Sequence, residues 1–530
     1  MLCIRLAKNC NRYACNHFNS KTFVSSPRES PIMKKTALLL ILCLLGVTLL
    51  AQVNPPAPFG PVPTPAQVEW QKMEMNMFCH FGPNTFTGLE WGEGTEPEDI
   101  FNPTALDCNQ WVYVAKNAGF QGIILTAKHH DGFCLWPNPM STHTVRASAW
   151  RKGKGDVLKE LSKACKKGGL KFGIYISPWD RNAPTYGTPK YNKVFLKTLR
   201  SAHKHYGPIF EQWFDGANGE GPNGKRQVYD WEKFNAQTLI LQPNAVIFSD
   251  VGPGCRWVGN EEGTCGRTCW SRLDVEGREP GNNAPSQDTL NAGNYNGVCW
   301  IPAETDVSIR SGWFWRASEH PKSVLELLKI YYNSVGRNSL LLLNVPPDTR
   351  GLIPAEDSLR LMEFRAALDS IFAQDLAKKA IKLCVSNFRG IGLYKSYREC
   401  YNNSALSSFG PIKYDASWLI DNDYSTCWAT DDTVTTAWVT LEFNEPQTFN
   451  RVMLQEYIPL GQRVEKFHIE VEDDNGNWHT IAKESTIGYK RIVLTETVTT
   501  KKVRIVIDQS RACIVLNRVG LFLDTILIEN

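Results

Sequence analysis

The sequence predicts an α/β protein in two parts, a (β/α)8-type (TIM-like) barrel followed by an all-β jelly-roll sandwich. Three observations carry this. The chain has 530 residues, more than one core usually supports. From about Met75 to Val345 short β-rich runs alternate with amphipathic stretches, and beyond Phe372 the texture changes to short alternating strands separated by turns. Hydrophobic residues make up 42% of the chain and aromatic ones 11%, enough apolar side chain for two cores.

The first element is a leader. "MKKTALLLILCLLGVTLLAQ" from Met33 has two lysines, an apolar run and a small residue at Ala51, the layout of a secretory signal too short to span a membrane. Residues 1–51 therefore read as an upstream extension plus signal peptide, and 52–63 as a Pro-rich leader. The expectation is a secreted or periplasmic protein, with no membrane attachment after signal cleavage.

The barrel is expected over 64–372. Its strand candidates are "MNMFCHFG", "FQGIILTAKHH", "KFGIYISPWD", "FEQWFDG", "AVIFSDVG" and "SLLLLNVPP". Between them, Asp156 to Gly169, Tyr191 to Gly207 and His320 to Gly336 repeat apolar residues at three and four and close on glycine. A Rossmann sheet would need a glycine fingerprint that is missing here. After a linker at 373–382, "AWVTLEFN", "RVMLQEYI", "KFHIEVED", "WHTIAKES", "KRIVLTET", "KKVRIVID" and "VLNRVGLFLD" predict the sandwich over 383–530.

The 58 basic and 54 acidic residues are dispersed, so no nucleic-acid footprint stands out. Sixteen cysteines, four of them before Ala51, leave an even twelve, which permits disulfides in an oxidising compartment. A local bridge among Cys255, Cys265 and Cys269 is one option. No CxxC pair occurs, which disfavours a structural zinc.

In a barrel, the C-terminal strand ends converge on one mouth. His80, His129 with His130, Tyr175 with Trp179, and Asp215 all fall at such ends. On an extended strand His129 and His130 would point to opposite sides, which argues against a shared metal; with Tyr175 and Asp215 at analogous strand ends, substrate contacts are favoured over one histidine in the core and one exposed. Asp215, followed by Gly216 and Gly219, suits either a nucleophile or a helix N-cap. In "RWVGNEEG", Glu261 and Glu262 suit either a general acid or an exposed turn.

"FCHFGPNTF", "AKHHDGFCLW", "WFDGANG" and "LLLLNVPPDTRGLIP" resemble the α-L-fucosidases of glycoside hydrolase family 29, over about Thr64 to Ile371. "WLIDNDYSTCWAT" resembles the discoidin or coagulation-factor type C domain. The resemblance implies a retaining exo-α-L-fucosidase acting on α-1,3/1,4-linked fucose of glycans, with the broader α-1,2 or aryl-fucoside specificity and a silent fucose-binding protein as alternatives. It implies Asp215 as nucleophile and Glu261 as acid/base, with Glu262 as fallback. His80, Trp91, His129, His130 and Tyr175 would hold the sugar, Arg256 would lie near the nucleophile, and Trp213, Trp313 and Trp315 would supply apolar faces. No catalytic metal or cofactor is implied; Asp421, Asn422 and Asp423 could hold a structural calcium or cap a loop. Trp418, Trp428 and Trp438 could line a glycan platform or fill the sandwich core.

Overall fold

The computed structural model describes residues 53–390, 400–402 and 413–526; the expected extension and signal lie outside them. Eight parallel strands close into a barrel: β1 Met75–Cys79, β2 Gly122–Lys128, β3 Lys171–Ile176, β4 Glu211–Trp213, β5 Val246–Ser249, β6 Cys255–Trp257, β7 Ala303–Ser308 and β8 Ser339–Asn344. Neighbours in sequence are neighbours in the sheet, and β8 pairs β1 to close it. Among the described residues no helix is long and apolar enough to cross a membrane.

Two of these strands are absent from the sequence rhythm, and each for a reason. β6 follows β5 through a tight turn with no helix between, where a Cβ on Gly254 would come within 2.3 Å of the Ile247 nitrogen. β7 reads "AETDVS", because its inward face carries Glu304, Asp306 and Ser308 rather than apolar side chains. The expected helices form as Val157–Gly168, Pro189–His205 and Val324–Asn333. The last starts later than its apolar spacing suggests, since Ser323 and Glu326 form a capping box there.

Strand alternation divides the core. Met77, Ile123, Leu125, Ile174, Ile247, Leu341 and Leu343 pack outward under the helices, while Phe78, Ile124, Tyr175, Trp213, Phe248, Leu340 and Leu342 fill the barrel.

The expected linker already carries a turn of 3-10 helix at Leu376–Lys379, and the first sandwich strand begins at Ala380. Two strands, Ala437–Glu456 and Arg491–Ser510, each fuse a pair of runs that the sequence shows separately. Register shifts at Glu442/Gln447 and Phe449/Arg451 bend them without breaking them. Trp428 is buried in the sandwich core, whereas Trp418 lines a surface groove with Tyr414 and Tyr457. Asp421 and Asp423 accept hydrogen bonds from their own loop, from Asp423, Thr426 and Ser425.

The sandwich is fastened to the barrel. Gln462 accepts from the Ser271 amide and donates to the Cys269 carbonyl, and Lys490 pairs with Glu74 beside β1. Cys384 is disulfide-bonded. Cys255, Cys265 and Cys269 are free thiols, so the local bridge considered among them is not formed.

Candidate active site

Asp215 follows β4 at the barrel mouth. Its Oδ1 accepts from the Ala217 amide at 2.7 Å, a tight turn rather than a helix cap, since the next helix starts only at Trp231. Its Oδ2 accepts from the Tyr175 hydroxyl at 3.0 Å, and His130 Nε2 stands 3.7 Å away. Tyr175 is wedged between the His129 ring, stacked at 5.7 Å, and the Trp213 ring, stacked at 5.3 Å.

Both histidines of "KHHDG" reach this mouth. Their ring centroids are 4.2 Å apart, so the expectation that they point to opposite sides does not hold. The strand ends at Lys128, after a register shift against β3, and the alternation rule ends with it. His130 Nδ1 bonds Ser177 Oγ at 2.8 Å, and Ser177 in turn donates to the Trp179 carbonyl. The other ring nitrogen, Nε2, faces the Asp215 carboxylate. Burial lowers the His130 pKa to about 4 and that of His80 to about 3, so both are neutral near pH 7. His80 Nδ1 bonds Asn344 Oδ1 at 2.9 Å, and Asn344 is fixed by donating to Ser308 Oγ and the Trp313 carbonyl. His80 Nε2 is thereby left as an acceptor for a hydroxyl.

Asp131 does not orient the histidines by hydrogen bonding. Its Oδ1 accepts from the Phe133 amide at 2.6 Å and its Oδ2 stays 4.0 Å from His129 Nδ1. Lys128 and Asp180 make the supporting contact instead, a buried pair at 3.2 Å in which Lys128 also donates to the Ser177 and Trp179 carbonyls.

Across the mouth, Glu261 Oε2 accepts from the Trp313 indole at 3.1 Å. Its pKa is raised, first by desolvation and then by the nearby charges of Asp215 and Glu90, against the lowering effect of that indole bond. Glu262 is exposed, and its amide closes a turn on Asn260. Trp313 tilts over His80 at 4.9 Å, and Trp91, 56% exposed, meets the His130 ring edge-on at 5.8 Å.

Arg256, expected near the nucleophile and the sugar, is not brought here. Arg256 lies on β6 with its guanidinium fully buried outside the mouth, donating to the Leu290 and Ile301 carbonyls and near Cys269 Sγ. It props the chain between β6 and β7. Trp315 has no hydrogen bond or ring contact to the mouth groups among the described residues.

The mouth also holds residues the motifs did not single out. Glu90 accepts from the Trp313 amide and pairs with Arg316, Phe314 lies edge-on to His80 and His129, and Asn344 sets the His80 tautomer. The asparagine at the end of "SLLLLN" was a usable signal, a polar group at a strand's C-terminal end. Glu90 sits in an irregular loop, where no periodicity marks it.

A family profile described as "Alpha-L-fucosidase" matches residues 58–369, and one described as "F5/8 type C domain" matches 403–518. The chain is 42% identical to Alpha-L-fucosidase 1 of Arabidopsis thaliana over 88% of this chain and 89% of that one. Among solved structures it is similar to a Ruminococcus gnavus GH29 fucosidase in complex with fucose, at 31% identity and TM-score 0.79, covering 90% and 98% of the two chains. It is also similar to a glycoside hydrolase 29 family member from an unknown rumen bacterium, at 38% identity and TM-score 0.74, covering 89% and 79%. The chain belongs to the α-L-fucosidases of glycoside hydrolase family 29, and carries an F5/8 type C domain behind its catalytic barrel.

Proposed function

We propose that this α-L-fucosidase removes terminal α-1,3/1,4-linked L-fucose from glycans by a retaining double displacement. The observation that carries it is a pair of carboxyl groups at one mouth in unlike settings. Asp215 is held by two donors, and Glu261 has a raised pKa beside an indole.

In the first step Asp215 attacks the anomeric carbon as the glycosidic bond breaks, and Glu261 gives its proton to the departing oxygen. In the second, Glu261 takes a proton from water, the water oxygen bonds the anomeric carbon, and Asp215 leaves with its proton count unchanged. The Tyr175 hydroxyl supports that departing carboxylate. The His80 lone pair accepts a hydroxyl proton of the sugar, and His130 and His129 hydrogen-bond alongside. Trp91, Trp213 and Trp313 give the apolar walls that a 6-deoxy sugar requires. Two carboxyls suffice for these steps, and no metal takes part in them.

The linkage preference rests on the "RWVGNEEG" loop, which resembles that of the α-1,3/1,4-acting subfamily and puts Glu261 on a glycine-flanked turn at the mouth. Initial rates on a Lewis-type trisaccharide, 2′-fucosyllactose and an aryl fucoside test it. The trisaccharide should be preferred; dominance of the aryl fucoside would favour the broader specificity. Secretion or periplasmic export rests on the leader, and N-terminal sequencing of the mature protein near Ala51 would test it.

A further inference from the structure

Beneath the sugar site the inward faces of β4 and β7 meet across the barrel. β4 presents Glu211 and Trp213 and leads to Asp215; β7 presents Glu304 and Asp306. The Trp213 indole donates to Glu304 Oε1 at 2.8 Å, and the Trp70 indole to Glu211 Oε2 at 2.7 Å. The two carboxyls face each other, Glu304 Oε2 is buried with no hydrogen-bond partner, and Cys255 Sγ lies 3.8 Å from Glu211 Oε1. One oxygen or sulfur from each of the three lies within 4.8 Å of the others. Glu211 and Glu304 are fully enclosed, and among the described residues no lysine or arginine pairs with either.

Two ionised carboxylates within 4.8 Å inside an apolar core repel each other with almost no solvent to compensate, which favours a proton held on one of them. What the arrangement does follows from Trp213. Its ring lies flat on Phe248, 3.8 Å away at 8°, and against Tyr175, whose hydroxyl holds Asp215. Glu304 is the only hydrogen-bond partner of that indole among the described residues.

We infer that Glu211 and Glu304 are a proton-sharing carboxyl pair that fixes Trp213 and, through Trp213 and Tyr175, aligns Asp215. Glu304 is then a positioning residue of the reaction. This rests on the reading of Asp215 as nucleophile. Burial supports the shared proton, raising both carboxyls above the usual carboxylate range, Glu304 also through the neighbouring charge of Glu211.

The test uses the full chain with Glu304→Leu, Glu304→Gln and Glu211→Gln. Leucine orphans the indole and the partner carboxyl, and should lower kcat on an aryl fucoside about tenfold or more with a smaller change in KM. Glutamine accepts from Trp213 and donates an amide hydrogen to Glu211 in place of the proton, and should recover most of that loss. In the infrared difference spectrum of wild type minus Glu304→Gln, the carbonyl stretch of a protonated carboxylic acid should appear, with buried Asp306, also raised, cancelling in the difference; this readout holds even if the leucine variant does not fold. Wild-type kcat in folded Glu304→Leu, or a glutamine variant as impaired as the leucine one, would overturn the inference. So would stoichiometric divalent metal in the purified protein that is lost in Glu211→Gln, which would put a cation between Glu211, Glu304 and Cys255. Full activity in Asp215→Ala would instead sink the nucleophile assignment, while the infrared band would still report on the pair.

Discussion

Trp313→Phe isolates the acid. The indole N–H donates to Glu261 Oε2 at 3.1 Å, whereas a phenyl ring can keep the tilted contact with His80 at 4.9 Å and loses only the donor. That bond favours the ionised carboxylate, so removing it lets Glu261 keep its proton to higher pH. A hydrogen bond to a charged group contributes about 1.5–3 kcal/mol when shielded. Glu261 lies on an exposed loop, and solvent reduces this to about 0.7–1.4 kcal/mol. At about 1.4 kcal/mol per pKa unit, the shift is about half a unit to one unit upward. Activity on an unactivated fucosyl oligosaccharide is lost on the alkaline side as the acid deprotonates, so that limb of the kcat/KM profile should move up by the same amount. An aryl fucoside with a good leaving group, which needs little acid assistance, should show less of it. An unmoved limb, or one shifted to lower pH, would refute the reasoning.

Other outcomes follow from the same geometry. Tyr175→Phe removes the donor at 3.0 Å from Asp215 and should lower kcat about 10- to 100-fold, read by steady-state and pre-steady-state rates. Asn344→Leu strands the His80 Nδ1 proton and should weaken inhibition by free fucose about tenfold. Arg256→Met should leave KM within about twofold yet lower stability by about 2–4 kcal/mol in denaturant titration, since buried carbonyls lose their donor. Azide should rescue Glu261→Ala, while Glu262→Ala should keep wild-type rates and need no rescue.

Much of the architecture was legible because its signals are local. "GIILT" and "SLLLL" announce barrel strands, and strand-end polar residues such as His80 and Asp215 announce the mouth. β7 was hidden because its inward face carries Glu304 and Asp306, and an acidic strand shows no apolar alternation. The two histidines were misjudged in direction, since the end of β2 at Lys128 depends on a register shift that only the neighbouring strand imposes. Arg256 was placed at the sugar by motif position, but residue type gives no side-chain direction; in the fold it turns outward to Leu290 and Ile301. Glu90 and Phe314 depend on loops packing across the mouth, a long-range outcome that no window of sequence contains.

In the proposed reaction Asp215 forms a covalent bond to fucose. Incubation with a 2-deoxy-2-fluoro-fucosyl fluoride, which slows release of the intermediate, followed by peptide mass spectrometry tests it most directly. A single fluorofucosyl adduct should appear on the peptide containing "FEQWFDGANG", at Asp215, with α-L-fucose as the first anomer released from natural substrate by NMR. An adduct on another residue, or β-L-fucose released first with no adduct, would contradict it.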